Sequence, residues 1–325
     1  MKKLLLILLC LPLLTLAQQQ TYVPDNWFES YLENNGMGNG ILNDSSVFTS
    51  AIDTVSILDV SMYAGSAVGI FDLTGIEDFT SLTILLCHYN LLTSLDVSQN
   101  TELTILLCNY NLLTSLNVSQ NTALTILVCD DNQLTSLDVS NNTSLTKLVC
   151  EDNFLTSIDV SNNTYLDTLS CRYNQLTYLD VSQNGNLSLL SCESNYLTNI
   201  DVSQNTSLQS LYCEDNYLLN SLDVRNGNNT NFVVFRVNQN QNLTCIDVDD
   251  TIWANNNWTV ANWNIDPHHY FSINCSGTTS IEEHTKNKEL FKVTDILDRK
   301  TKGKKNEQLF YIYDDGTVEK RIVLE

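Results

Sequence analysis

The chain has 325 residues with 16 basic and 38 acidic side chains, a formal net charge of -22. That charge argues against nucleic acid and anionic membrane surfaces as partners, because both reward Lys and Arg. The 43% apolar content is enough for a sizeable core, and the ten cysteines are too regularly placed to be incidental.

Residues 1–17 read as a secretory signal peptide. Lys2 and Lys3 precede an apolar run from Leu4 to Leu14, and Thr15-Leu16-Ala17 offers the cleavage spacing. Cys10 does not read as a lipid-anchored cysteine, because the bulky Leu9 precedes it. No later stretch reaches 18 apolar residues, so no transmembrane helix is expected. The expected location is secreted or at the cell surface.

Residues 18–54 read as an N-terminal cap. Pro24 to Leu32 predicts a short amphipathic helix with Asp25 or Asn26 as N-cap. It would lay Trp27 or Phe28, Tyr31 and Leu32 over the first coil. A degenerate unit follows at Val55, Leu58 and Val60, and the segment from Ile70 to Phe79 leads into the regular array.

Residues 55–250 form that array. Cysteines 87, 108, 129, 150, 171, 192 and 213 are all 21 residues apart, the mark of a solenoid. In one unit, Leu103, Leu106, Cys108, Asn111 and Leu113 follow the pattern L-x-x-L-x-C-x-x-N-x-L. Leu106 and Cys108 alternate with outward residues, the period of a strand. Asn90, Asn111, Asn132, Asn153, Asn174, Asn195 and Asn216 would stack as an asparagine ladder. On the return side, Leu113, Leu116, Val118 and Asn121 repeat the same logic without room for a helix. Each coil is expected to hold two short parallel strands, or one strand facing irregular extended chain. Equal advance on both sides would make the solenoid flatter than a helix-backed horseshoe.

The repeat resembles a bacterial leucine-rich-repeat surface protein with internalin-like short repeats, over roughly residues 52–250. The fold this implies is a leucine-rich-repeat solenoid of about nine 21-residue coils with parallel β-strands, capped at both ends, plus a small β tail.

After Cys213 the pattern decays. An extra residue appears at Leu219, and Phe232, Phe235 and Val237 replace Leu, Leu and Cys. Residues 251–281 read as a C-terminal cap, with Trp253, Trp258 and Trp263 expected over the last coil. Residues 282–325 shift to ten basic and ten acidic side chains, whereas 18–281 hold only Lys147, Arg172, Arg225 and Arg236 against 28 acids. A strand is expected from Leu290, and a hairpin with an Asp-Gly turn across 309–325. This tail is similar to the C-terminal sorting domain of the type IX secretion system of Bacteroidetes. It is shorter than usual, and Asp298 stands where the turn glycine usually is. The resemblance implies the type IX secretion machinery as a partner of the tail.

In-register strands keep neighbouring Cβ atoms about 4.8 Å apart, too far for a disulfide. The seven ladder cysteines are therefore expected as free, buried thiols. Cys245 and Cys275 lie outside the ladder and are expected to pair.

The ligand site is expected on the cysteine-bearing face, where outward residues change from rung to rung. Ile84, Leu86, Ile105, Leu107 and Ile126 form an apolar stripe beside Tyr89 and Tyr110. Asp130, Asp131, Glu151, Asp152, Arg172, Tyr173 and Tyr212 continue it as a more polar rim. Such a stripe suits an extracellular protein or glycan. The competing readings are drift on a tolerant surface or cover by the N-terminal cap.

Catalysis has little support. The four histidines, His88, His268, His269 and His284, fit no Ser-His-Asp order or metal-ligand spacing. A polysaccharide-cleaving solenoid would need clustered acids beside a base, for which Lys147 and Arg172 near Glu151 and Asp152 are the nonspecific candidates. No cofactor is expected. On the opposite face Asp96, Asn117, Asp138, Asp159, Asp180, Asp201 and Asp223 form a row. Three outcomes are open there: Asx turns, raised pKa values as a coupled set, or weak Ca²⁺ sites at Asp138, Asp159, Asp180, Asp201 and Asp223. The function expected is an exported recognition or adhesion protein, with a structural matrix protein as the alternative.

Overall fold

A computed structural model of the chain describes residues 18–65 and 68–275, and the backbone of strands Leu290–Thr294, Gln308–Tyr313 and Val318–Ile322. The signal peptide, Asp298 and the Asp-Gly turn lie outside the described residues. Two compact units result, Met1–Cys275 and Ser276–Glu325.

The first unit is a parallel-strand solenoid. Its nine-stranded sheet starts at Ile57–Asp59, adds a three-residue strand such as Ile84–Leu86 or Ile105–Leu107 from each repeat, and ends at Val234–Arg236. Leu85 pairs with Leu106, Leu106 with Leu127, and so on in strict register. The register lengthens at the two ends, where Ile57 pairs with Ile84 and Ser210 with Val234. Inward leucines and the seven cysteines form one continuous core. All seven thiols are free and buried, and burial pushes those of Cys108 and Cys150 up to about 12.

Asparagine amides hold the coils together. Asn111 Nδ2 donates to Cys108 O in its own coil and to Cys87 O in the preceding one, both at 3.0 Å. Its Oδ1 accepts from Leu92 N at 3.0 Å. The same three bonds recur at Asn132, Asn153, Asn174 and Asn195. A second ladder runs along the return side through Asn100, Asn121, Asn142, Asn163, Asn184 and Asn205. Asn142 Nδ2 donates to Val118 O at 3.0 Å and Asn121 O at 2.8 Å. The Oδ1 atoms of this second ladder are buried without a hydrogen-bond partner.

The return side departs from the two-strand expectation over most of the array. Only an isolated bridge, Asp96 with Asn117, forms there in the early coils. A four-stranded sheet appears at the end, from Asn199–Asp201, Ser221–Asp223, Cys245–Asp247 and Tyr270–Ser272. Local turn bonds follow each row position: Ser98 N is taken by Asp96 Oδ1 at 2.9 Å, Asn100 N by Val97 O at 3.0 Å and Leu103 N by Asn100 O at 3.1 Å. The same bonds follow Asp201, where Ser203 N, Asn205 N and Leu208 N are taken in the same way, so the turns accompany both the strand-free and the stranded coils.

The N-terminal cap is built on helix α1, Asn26–Asn34, whose N-cap is Asp25. Asp25 Oδ1 accepts from Trp27 N and Phe28 N, and its Oδ2 accepts from Phe71 N at 2.8 Å, tying the helix to the lead-in segment. Phe28 and Leu32 are buried, with Phe28 stacked on Phe79, while Trp27 faces solvent. At the other end Trp258 stacks on Phe235 with ring centroids 3.7 Å apart, and Trp253 packs beside it. Trp263 is 71% exposed, so only two of the three tryptophans cover the last coil. Cys245 and Cys275 form the expected disulfide. The second unit is a three-stranded antiparallel sheet, with Gln308–Tyr313 central between Leu290–Thr294 and Val318–Ile322. No helix among the described residues is long and apolar enough to cross a membrane.

The two ladders differ in what their amides satisfy. Asn132→Ala leaves the buried amide of Leu113 without its partner, while Cys108 O and Cys129 O keep Asn111 Nδ2 and Asn153 Nδ2; Asn142→Ala strands no group, because Val118 O keeps Asn121 N, Asn121 O keeps Leu124 N, and the lost Oδ1 is already unpaired. Asn132→Ala should therefore lower stability by about 1–3 kcal/mol, the cost of one stranded buried donor, and Asn142→Ala by less. Thermal unfolding of the two variants against the parent measures the difference.

Candidate ligand-binding face

The outward side chains of the first strands make an apolar stripe. Ile84, Leu86, Ile105, Leu107 and Ile126 are each half-buried by their neighbours. Together they line a shallow concavity bounded by His88, Tyr89 and Lys147. Tyr89 and Tyr110 stand at the strand end, stacked at 4.3 Å between ring centroids. The tyrosines leave the face partly open, because Tyr110 is exposed. The cap does not cover them.

The residue before each ladder asparagine adopts a left-handed backbone. Tyr89, Tyr110, Asp131, Asp152, Tyr173, Ser194 and Asp215 have φ between 48° and 57°. The turn is needed because the next residue must point its amide inward to reach the strand carbonyls. Glycine would take this conformation at no steric cost, while another residue forfeits about 1 kcal/mol or more. Seven successive rungs nevertheless carry a side chain there.

Further along, the face becomes charged. Arg172 Nε contacts the Glu151 carboxylate, and Arg172 Nη1 lies 3.6 Å from Glu193 Oε1. Ser170 Oγ donates to Glu151, and Ser191 Oγ donates to Glu193 at 2.7 Å. The Arg172 guanidinium also sits 5.5 Å from the Tyr173 ring centre. Arg172 is thus a counter-ion between two glutamates rather than a free clamp. Tyr212 is half-buried, between Ser191 and Arg236 in the strand register. Desolvation raises the carboxyls of Asp130 to about 6 and Glu214 to about 7, and pushes that of Asp152 upward as well. The nearby charge of Asp131 pushes the Tyr110 phenol up to about 12.

A second aromatic row borders this face. Leu112, Phe154, Tyr196 and Tyr217, each directly after a ladder asparagine, are exposed, and Tyr196 and Tyr217 meet edge to face at 5.6 Å. Leu112 and Phe154 line a concavity with Tyr110, Asp131, Asp152 and Tyr173. The signal was present in the repeat: the position reads Leu91, Leu112, Gln133, Phe154, Gln175, Tyr196, Tyr217.

On the return face the aspartate row makes Asx turns. Asp138, Asp159, Asp180 and Asp201 each accept the amide of the serine two residues on at 2.9 Å, and Asp223 accepts that of Arg225 at 3.0 Å. Hydrogen bonds to Ser140 and Ser161 hold Asp138 and Asp159 below the usual carboxylate range, opposite to the raised values of a coupled set. No three carboxylates of the row converge. Among the described residues one group of three metal-type side chains does, Asp266, His268 and His269. Both ring nitrogens of His269 are committed there, Nδ1 accepting from Asp266 N at 3.2 Å and Nε2 facing Asn240 O at 3.3 Å. The cluster clasps the C-terminal cap to the last ladder asparagine.

No family profile and no curated protein sequence matches the chain. Solved structures do. An internalin, InlF from Listeria monocytogenes, is 18% identical with a TM-score of 0.56, covering 80% of this chain and 81% of its own. The fold is that of leucine-rich-repeat proteins. The functional domain of InlJ from the same bacterium is 26% identical, covers 71% of this chain and 67% of its own at a TM-score of 0.35, and includes a cysteine ladder. The leucine-rich-repeat protein LIC12759 of Leptospira interrogans is 22% identical at a TM-score of 0.40, covering 54% and 46%.

Asp130 offers a test of the face's electrostatics. Its carboxyl is raised in the folded state, so the fold favours the protonated form, and stability falls as pH rises through the window from the unfolded value of about 4 to about 6. Asp130→Asn should raise Tm at about pH 8 and give a smaller gain at about pH 4, measured by thermal unfolding across that range.

Proposed function

We propose that this chain is an exported, surface-displayed recognition protein that binds an extracellular protein or glycan through the nine-stranded face. The observation that carries the reading is the row of left-handed residues. Tyr, Asp and Ser are kept where glycine would be cheaper, and the side chains so kept border the apolar stripe. Strain retained at an exposed edge points from structure to function. The stripe supplies desolvated contact, the stacked Tyr89 and Tyr110 supply a rigid anchor, and the acidic rim supplies selectivity. Recognition needs no cofactor and no catalysis.

The three-stranded tail supports a separate role. Its antiparallel hairpin and its balanced composition fit a sorting module read by type IX-like secretion machinery, and the signal-peptide pattern supplies the first export step.

Replacing both Tyr89 and Tyr110 with Ser should weaken partner binding by about tenfold or more, as loss of an aromatic anchor does, with the fold intact by circular dichroism. A partner found by screening extracellular proteins and glycans serves as the probe; unchanged affinity moves the contact surface elsewhere. Deleting 286–325 should leave the solenoid folded and absent from the cell surface, as read by surface labelling, and normal display ends the sorting role.

A further inference from the structure

The left-handed row carries a pattern that the apolar stripe does not use. Over four successive rungs it reads Tyr110, Asp131, Asp152, Tyr173, two carboxylates bracketed by two phenol rings. Tyr110 N donates to Asp130 O at 3.0 Å, and Asp131 N to Glu151 O and Asp152 N to Arg172 O at 3.1 Å, so the row is held in step with the coils. Neighbouring rungs stand about 4.8 Å apart, which separates the bracketing tyrosines by about 14 Å along the stack. Leu112 and Phe154 complete the concavity that these four residues line. The ladder asparagines at its back have their amides committed to backbone carbonyls of the coils. What remains open to a ligand is aromatic and anionic.

Of the residues that line the concavity, only the two aspartates are charged. Like charges on adjacent rungs repel, and no basic side chain of the lining answers them. Arg172, next in the chain to Tyr173, is occupied by Glu151 and Glu193. Its guanidinium nonetheless lies 5.5 Å from the Tyr173 ring centre, within cation–π range. The protein thus shows, on one of its own side chains, a tyrosine of this row receiving a guanidinium.

Rings and carboxylates together select one kind of side chain. A neutral sugar stacks on the rings and donates hydroxyl hydrogen bonds, but leaves both charges unanswered. An ammonium answers charge, but it is a compact and strongly hydrated point. A guanidinium does both, because its plane lies on a ring and its fork takes a carboxylate bidentately. The wider field agrees: residues 18–281 hold four bases against 28 acids, which draws a basic partner.

We propose that this concavity binds arginine side chains of an extended basic segment of a partner protein, with Asp131 and Asp152 pairing to the guanidinium groups and Tyr110, Phe154 and Tyr173 stacking on them. This rests on the recognition reading above and narrows its partner to a protein with an arginine-bearing segment. Two arginines at i and i+2 fall on one side of an extended chain and reach the two aspartates together.

The test is calorimetric titration of the purified full chain, at fixed salt, with an acetyl-Gly-Arg-Gly-Arg-Gly-amide peptide. Its lysine counterpart and the neutral sugar cellohexaose are run in parallel. The arginine peptide should bind in a saturable step, about threefold or more tighter than the lysine peptide. Asp131→Asn with Asp152→Asn should weaken it by about tenfold or more, and Asn tolerates the left-handed backbone, so the turns stay intact. Phe154→Ala, at an exposed position, should weaken it by about threefold. Asp138→Asn with Asp159→Asn removes the same charge from the return face, keeps the Asx turns, and should change affinity by less than about twofold. Equal losses from the two aspartate pairs reduce the attraction to diffuse charge and overturn the site. So does the absence of a step, equal affinity for the lysine peptide, or cellohexaose binding that Phe154→Ala weakens. A screened partner that responds to Tyr89→Ser with Tyr110→Ser but not to Asp131→Asn with Asp152→Asn overturns this assignment and leaves recognition standing. An arginine step that needs both aspartates, beside a partner indifferent to the tyrosine pair, supports this site and moves the contact off the stripe.

Discussion

The side-chain amide of one asparagine per coil is the interaction on which the solenoid depends. A three-residue strand offers few backbone bonds, and the chain must leave it by a sharp turn. The ladder amide answers carbonyls of two coils and takes an amide of the earlier one, so each coil is closed and tied to its predecessor by the same group. Everything around it follows. The residue before must be left-handed, the cysteine two positions earlier must be small enough to let the turn tuck in, and the leucines fill the space between the two ladders. The outward positions are then free to vary from rung to rung, from Ile105 and Leu107 to Ser210 and Tyr212.

The caps answer a different constraint. An unfinished parallel stack would present an apolar cross-section and open strand edges at each end. At the front, Asp25 serves as both helix cap and tether to Phe71. At the back, Phe235, Trp258 and Trp253 form an aromatic plug, and the disulfide between Cys245 and Cys275 holds the closing segment in place. The return-side sheet appears only near this end, where the aspartates of the last coils gain Arg225 as a shared counter-ion to Asp223 and Asp247.

Much of this was legible in the repeat. The 21-residue period, the inward Leu and Cys, the ladder asparagines, the free thiols and the terminal disulfide all follow from spacing and residue type. The return side was harder, because L-x-x-L-x-V reads as a strand whether or not the coils pair there, and the Asx turn that ends it is the same in the early coils and in strand Asn199–Asp201. The pairing of Arg172 with Glu151 and Glu193 depends on rungs one step away on either side, a relation that a 21-residue offset contains but that single-rung reading passes over. The exposed row at Leu112, Phe154, Tyr196 and Tyr217 was equally present, one place beyond the positions compared.

The nine described cysteines of the solenoid unit have two fates, since two are joined and seven remain as thiols. The packed array supplies the distinction: each docked coil buries its thiol away from any oxidant, while Cys245 and Cys275 meet where the closing segment folds back. Thiol accessibility therefore reports on packing, and a ladder cysteine that reacts with an alkylating reagent marks a coil that has opened.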